Sequence, residues 1–248
     1  MSWLGRLFGK PPEHPPPERV VPIATVQIPP SAEPVKLYQD QVLRKAWSEE
    51  VLNAAGIRIN PHLPCIEGQA EITLRSSREV ADRLLALTIV AVKGEGLEQD
   101  HMEAFVTERN VGPLLSPKER TFIDNPEPDD HSRVHFSWRY EAAWPLLWAL
   151  QYVEGPLGLP REIADVARLV SLVRHTADLT EHGLRPANDI LNEADLIYRC
   201  HWAVRQASID GQLPSGGLHP GVTMERHHAL NWLIRYCELE WDDVTTDT

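Results

Sequence analysis

Apolar residues recur at every third or fourth position through most of the chain after residue 35, which is the spacing of an α-helix. These stretches do not alternate regularly with strand patterns, so a parallel sheet flanked by helices is disfavoured. We therefore predict a mainly α fold, with one helical domain over residues 36–248 and at most a short strand at Glu71–Leu74. In the second half, the predicted helices span residues 136–153, 161–181, 187–209 and 222–237.

Local signals mark where helices of the first half begin. A serine followed three residues later by glutamate forms a capping box, in which each side chain bonds the other residue's backbone N–H. Ser76 with Glu79 predicts one helix start, and Ser116 with Glu119 predicts another, the latter strengthened by a proline at the first helical position. The remaining predictions here are a weaker helix over 97–109 and an acidic loop over Asp124–His131.

A further predicted helix, residues 36–55, carries one apolar stripe and ends at Gly56. A stripe of this kind ordinarily faces the core of a protein. Its members are Leu43, Trp47, Val51 and Ala54.

Residues 1–35 have the composition of a disordered, proline-rich arm. Nine of the 21 prolines lie between Pro11 and Pro34, and proline removes a backbone donor and fixes φ. We expect an extended spacer, with a ligand for a proline-recognising domain as the alternative. The first ten residues mix apolar and basic side chains, so they are either a frayed start or a short amphipathic contact with a membrane surface.

Composition and charge exclude several classes of protein. No apolar run approaches the ~20 residues of a membrane-spanning helix. The net charge of −12 opposes binding to nucleic acid, which needs a cationic surface. The three cysteines are odd in number and form no Cys-x-x-Cys pair, which favours a reducing compartment and a cytoplasmic location.

Seven polar residues fall where the helical patterns are apolar or at the edges of apolar faces. A charge on a core-facing position is costly unless it is paired. Two interpretations are open: a buried ion-pair network that fixes how the helices pack, or a polar pocket between helices. The residues are Arg139, Glu141, Asp195, His201, Arg205, Glu225 and Arg226.

Arg226 lies in the middle of an apolar face on the predicted helix 222–237, so its guanidinium needs a carboxylate or a path to solvent. Glu141 is the best candidate partner, because its helix is apolar on all sides and therefore central. Asp195, at the edge of its own apolar face, is the second candidate.

No motif indicates a metal, a cofactor or a known catalytic mechanism. Glu98-x-x-His101 and Glu225-x-x-His228 have the spacing of di-iron bundle ligands, but such pairs are expected by chance at this composition. HExxH, P-loop, GxSxG and GxGxxG sequences are absent. Cys200 next to His201 is expected to be structural, because neighbouring side chains on a helix diverge.

The last eleven residues, 238–248, contain five acidic side chains and no basic one. Such a tail is usually solvated. Trp241 in its midst predicts instead that the tail is docked on the domain, since an indole has a large apolar surface to bury.

The chain resembles the bacterial family called domain of unknown function 4272 over about residues 37–248. The resemblance implies a bacterial, cytoplasmic, single-domain protein, and it implies no activity or catalytic residue. The segments that carry it include Arg44-Lys-Ala-Trp47, Asn60-Pro-His-Leu-Pro64, Trp138-Arg-Tyr-Glu141, Ile190-Leu-Asn-Glu-Ala-Asp195 and Trp241-Asp-Asp-Val244.

We expect a non-enzymatic cytoplasmic protein that acts through a protein partner, for example as a neutraliser of a basic toxin or enzyme. This expectation depends on the missing catalytic motifs and on the acidic composition. The alternative is an enzyme or small-ligand binder, with a polar pocket between helices built from Glu141, His201 and Glu225.

Overall fold

The computed structural model describes residues 38–248, and this part of the chain is built from helices. The predicted arm at residues 1–35 lies outside the described residues. The nine α-helices of the described part are α1 (Gln39–Ala54), α2 (Ser77–Gly94), α3 (Gln99–Glu108), α4 (Pro117–Asp124), α5 (Asp130–Ser137), α6 (Arg139–Ala149), α7 (Val166–His175), α8 (Ala187–Ile209) and α9 (Pro220–Leu233).

The mainly α fold is confirmed, and the optional strand is not formed. Within residues 38–248 no strand is present, and residues 72–76 run as irregular chain into α2. Among the same residues, no helix has both the length and the apolar character needed to cross a membrane.

Both predicted capping boxes are present and begin α2 and α4. The Ser76 hydroxyl accepts a hydrogen bond from Glu79 N at 3.2 Å, and Ser76 N donates back to the Glu79 carboxylate at 2.8 Å. Ser116 and Glu119 make the same exchange at 3.2 and 2.9 Å. These bonds satisfy N–H groups that the first turn of a helix leaves without a partner.

The centre of the domain is α6, which packs against α2 on one side and α9 on another. Of its eleven residues, only Arg139 and Trp144 are not buried, as its apolar character on all sides predicts. α8 packs against α9 and also carries α1 on its surface. The main core therefore lies between α2, α6, α8 and α9.

Several predicted helix boundaries are wrong. The stretch 136–153 is two helices that meet at Trp138, and α6 continues through Pro145. The predicted acidic loop ends at Asp129, because that side chain caps α5 by accepting from Ser132 N at 2.8 Å. The helix predicted at 161–181 is shorter, with α7 limited to Val166–His175.

α9 ends at Leu233, four residues before the predicted end, because the backbone then turns left-handed. Arg235 and Cys237 have φ of +57° and +54°, which a continuing helix does not allow. The turn directs residues 238–248 back onto the domain.

The C-terminal segment is docked through Trp241, as predicted. Trp241 is 4% exposed, and its ring meets those of Trp232 and His228 at 5.7 and 4.5 Å between centroids. Its backbone carbonyl also lies 3.0 Å from His228 Nε2. The acidic side chains around it reach the surface or bond nearby groups, as Asp242 does with the Ser116 hydroxyl at 2.7 Å.

Gly94 allows α2 and α5 to approach each other closely. A Cβ atom at this position would lie 2.6 Å from Ser137 N and 2.8 Å from Arg133 O, both backbone atoms. Real Cβ atoms do not approach backbone this closely, so the packing of α5 on α2 requires glycine here.

Candidate functional site

Arg139 and Glu225 form a close ion pair between α6 and α9. Arg139 Nη1 donates to both Glu225 carboxylate oxygens, at 2.9 and 2.7 Å. Burial raises the pKa of Glu225, and the Arg139 guanidinium opposes that rise. The bond is charge-assisted and short, so it fixes the contact between two core helices.

Glu141 and Arg226 lie close to each other without a hydrogen bond. Their nearest atoms, Arg226 Nη2 and Glu141 Oε2, are 3.8 Å apart. Arg226 Nη2 instead donates to the Glu162 backbone carbonyl at 3.2 Å, and Glu141 Oε1 accepts from Ala164 N at 2.7 Å. The carboxylate predicted to pair with Arg226 is therefore its neighbour, but no hydrogen bond joins the two side chains.

A second carboxylate that the sequence interpretation omitted, Glu193, extends this cluster. Glu193 Oε1 accepts from Leu157 N at 3.1 Å. Burial raises the pKa of Glu193, while bonds from backbone N–H groups and the charge of Arg226 oppose the rise. The loop between α6 and α7 is therefore bonded through its backbone to three buried side chains, those of Glu141, Glu193 and Arg226.

Burial raises the pKa of Glu141 to about 7, although the Ala164 N–H and Arg226 act in the opposite direction. A carboxylate of this kind exchanges its proton near neutral pH. Its Oε2 atom and Arg226 Nε have no hydrogen-bond partner in the described part of the chain.

Asp195 pairs within its own helix, with Arg199 rather than with Arg226. Arg199 Nε and Nη2 each donate to one Asp195 oxygen at 2.8 Å, so the pair is bidentate and fully buried. Arg199 Nη2 also donates to Pro64 O at 3.1 Å, which ties α8 to the loop after α1.

The expectation for Arg205 is wrong. The helical spacing of residues 187–209 placed Arg205 in the middle of an apolar face, but Arg205 is exposed near the C-terminal end of α8. The final turns of α8 project beyond the core, and Ile209 there is 76% exposed.

His201 and His227 are bonded to each other across the α8–α9 contact. Their Nδ1 atoms lie 2.8 Å apart, so one ring donates and the other accepts. Burial and the nearby Arg205 charge lower the pKa of His201 to about 4. Burial, His201 and His228 hold the pKa of His227 well below its usual range. Both rings are therefore neutral at pH near 7.

The seven predicted residues do not meet in one open site. Glu141, His201 and Glu225 line none of four cavities found at the surface of the described residues. Each of these three side chains is instead bonded to another residue inside the protein. Among residues 38–248, no group of three or more His, Cys, Asp or Glu side chains lies together at metal-binding spacing.

One cavity, of about 370 Å³, lies where four separate segments of the chain meet. Its walls come from the loop after α1, from α8, from α9 and from the C-terminal segment. The side chains with polar atoms on these walls are Cys65, Glu67, Tyr198, His227, Asn231, Tyr236, Asp247 and Thr248.

In its first turns, residues 39–48, α1 has large apolar side chains facing outward and polar side chains facing inward, whereas Leu52 and Val51 near its end pack on the core. Leu43 and Trp47, predicted as part of the apolar stripe, are 61% and 41% exposed, and Val42 beside them is 49% exposed. Gln41 and Arg44 lie inside instead, where Gln41 Nε2 donates to Ile66 O at 2.8 Å. The ordinary orientation of an apolar stripe is reversed in this helix, because backbone carbonyls inside can accept bonds from polar side chains.

Three buried residues of this region were missed by sequence reasoning: Glu193, Arg199 and His227. Arg199 stands four residues after Asp195, a spacing that places both on one helix face and could have revealed the pair. His227 is buried beside the loop at residues 64–67, and no pattern in the sequence shows that this loop lies next to it.

The comparisons with known proteins give one result. A family model described as Domain of unknown function (DUF4272) matches residues 44–244. No curated protein and no solved structure matches the chain.

Proposed function

The chain belongs to the DUF4272 family, whose description names no activity, and from its surface we propose that it is a bacterial cytoplasmic protein that binds a basic protein partner through α1. A neutraliser of a basic toxin or enzyme is one concrete form of this function. The observation that carries the proposal is the reversed orientation of α1.

Three large apolar side chains are exposed together on this helix: Val42, Leu43 and Trp47. Leu43 and Trp47 are four residues apart, so they lie side by side on one helix face. Contiguous apolar surface of this kind is typical of protein–protein contacts, and an exposed helical face with such anchors fits a groove on a partner.

Two exposed carboxylates, Glu50 and Asp189, border this apolar face, and Arg185 lines the same cavity as Asp189. Glu50 lies one turn beyond Trp47 and is exposed, and Asp189 shares with Trp47 a cavity of about 260 Å³. Neither carboxylate forms an ion pair within residues 38–248. A partner with basic residues around an apolar groove is complementary to this surface, and the net charge of −12 favours its approach.

The alternative function, an enzyme or ligand binder built on Glu141, His201 and Glu225, has less support. These three side chains are bonded within the protein, and none of them lines any of the four surface cavities cited above. Three free cysteines, at 65, 200 and 237, are consistent with the proposed reducing compartment.

Site-specific photo-crosslinking in the source cells tests the proposal. A photoreactive amino acid at position 43 should form an adduct with a protein that an identical probe at exposed Ile209 does not capture. The purified partner should then bind the wild-type chain, and Leu43→Ser with Trp47→Ser should weaken its Kd by more than about tenfold. Affinity should also fall as salt rises, because charge complementarity is screened.

The matched control is Ile209→Ser, which removes an even more exposed apolar side chain from α8 and should leave the Kd unchanged. Equal binding by the α1 variant would contradict the proposal. An adduct with a second copy of this chain would instead identify the outward face of α1 as a self-association interface. The masses of the wild-type and variant proteins in solution would test that interpretation.

A further inference from the structure

We propose that the cavity of about 370 Å³ between the 64–67 loop, α8, α9 and the C-terminal segment binds a small organic cation, an ammonium or guanidinium compound. This site is separate from the outward face of α1 and does not depend on the partner proposed above.

The size and construction of the cavity suit a small molecule. Ligand pockets in proteins commonly measure about 300–1,000 Å³ and combine apolar walls with a few polar groups. Here Pro64, Ile66, Ala194 and Ile234 supply apolar wall, and the polar groups stand on four different chain segments.

The charge of the lining is negative. Glu67 and Asp247 both line the cavity, and no lysine or arginine does. The Glu67 side chain has no hydrogen bond or ion pair within the described residues, and Asp247 accepts only from the neighbouring Thr245 hydroxyl at 2.7 Å. Burial, the Cys237 thiol and the charges of Asp247 and Glu67 together raise the pKa of Tyr236, which lines the same cavity as both carboxylates.

A buried polar group also faces the cavity with one atom free. His227 is 2% exposed and bonds His201 through Nδ1, while its Nε2 has no hydrogen-bond partner within residues 38–248. Because its pKa lies well below the usual range, the ring stays neutral. It therefore offers a hydrogen bond to a ligand without repelling a positive charge.

The aromatic walls fit the same kind of ligand. Tyr198 and Tyr236 both line the cavity, and tyrosine rings attract cations placed over their faces, as Arg199 shows at 5.8 Å from the centroid of the Tyr198 ring. A divalent metal ion fits less well, because no three metal-ligating side chains lie together among residues 38–248. An organic cation uses the two carboxylates and the two rings together.

Titration calorimetry with choline, argininamide and butylamine tests the proposal, each at equal ionic strength. The neutral isostere of choline, 3,3-dimethylbutan-1-ol, separates charge from shape. At least one cation should bind, choline more tightly than its isostere, and Glu67→Gln or Asp247→Asn should weaken that binding about tenfold. Exposed Glu181→Gln is the matched control and should leave the Kd unchanged.

Substitutions of Tyr198 distinguish attraction of the cation by the aromatic ring from burial of the ligand's apolar surface. Tyr198→Phe should retain cation binding, and Tyr198→Leu should weaken it, because only an aromatic face attracts a positive charge. Thermal melts of each variant identify any that fail to fold.

Alkylation of Cys65 reports on ligand binding while the carboxylates and aromatic rings that line the cavity stay unchanged. Cys65 faces the cavity, Cys200 is buried, and Cys237 can be removed as Cys237→Ser. The cation that binds by calorimetry should slow the reaction of Cys65 with iodoacetamide, and the neutral isostere should not. Binding that is equal for cation and isostere, binding insensitive to both carboxylates, or no protection of Cys65 by any cation would overturn the proposal.

Discussion

The Arg226 guanidinium and the Glu141 carboxylate stand 3.8 Å apart inside the domain and share no hydrogen bond. Each is bonded to the backbone of the loop between α6 and α7, through Glu162 O and Ala164 N. The two opposite charges therefore hold the same loop while they compensate each other's burial.

Arg226→Ala should lower the free energy of unfolding by about 3–5 kcal/mol, because it leaves Glu141 and Glu193 buried without their cation. Arg226→Lys should not restore it, since an ammonium group lacks the planar fork. Arg226→Met should cost less than Arg226→Ala, because it fills the volume. Chemical denaturation measures all three, and additivity of Arg226→Met with Glu141→Gln would show that the two charges are not coupled.

Glu141 should make stability depend on pH with a defined sign. Its pKa rises from 4.5 to about 7 on folding, so the folded state binds the proton more tightly than the unfolded state. Its contribution is therefore largest at low pH and falls as pH rises from about 4.5 to 7, by about 3 kcal/mol in all.

The difference between wild type and Glu141→Gln isolates this effect, because His201 and His228 titrate with the opposite sign in both proteins. Denaturation at a series of pH values measures that difference. A difference that stays constant across the range would mean that Glu141 ionises at its ordinary pKa.

Two arginines on α8 should behave oppositely. Arg199→Ala removes one half of a buried bidentate pair with Asp195 and should cost about 3–5 kcal/mol. Arg205→Ala removes an exposed side chain and should change stability by less than about 0.5 kcal/mol. Equal losses of stability for the two variants in thermal melts would contradict the structure's assignment of Arg199 to the buried face of α8 and Arg205 to its exposed face.

Two tryptophans give a similar contrast. Trp241→Ala should cost about 3–5 kcal/mol, because its buried ring holds the C-terminal segment against Trp232 and His228. Trp47→Ala, on the outward face of α1, should have a small effect on stability. Comparable losses for the two variants would contradict the docking of the tail through Trp241.

Gly94→Ala should destabilise by roughly 1–3 kcal/mol, even though alanine is the better helix former, because its Cβ atom would collide with the backbone of α5. Gly112→Ala is the control, since a Cβ atom there meets nothing within 4 Å. Differential scanning calorimetry on both variants tests the close approach of α2 and α5.

Features fixed by local chemistry could be predicted from the sequence. The capping boxes at Ser76 and Ser116 depend on residues three apart, and both helices begin there. The burial of α6 follows from an apolar pattern on all sides. The docking of Trp241 follows from the apolar surface of a single indole.

Features fixed by long-range contacts could not be predicted. The end of α9 depends on left-handed backbone at Arg235 and Cys237, neither of which is glycine. The inward orientation of Arg44 depends on acceptors such as Asn192 Oδ1, 148 positions away in the chain. The cavity has walls from four segments, so its residues form no motif in the sequence.

The polar inward side of α1 also has a consequence for local unfolding of the domain. Its inward face is held mainly by hydrogen bonds, with Leu52 as its only fully buried large apolar side chain, so its release exposes little apolar surface. The loop beside it moves with it, because Gln41 and Lys45 bond the carbonyls of Ile66 and Leu63. Amide hydrogen exchange in α1 should therefore proceed through local unfolding, at a lower free energy than in α6 or α9. We therefore expect α1 and its loop to open together, before α6 or α9, and a partner bound to the outward face of α1 would slow that opening.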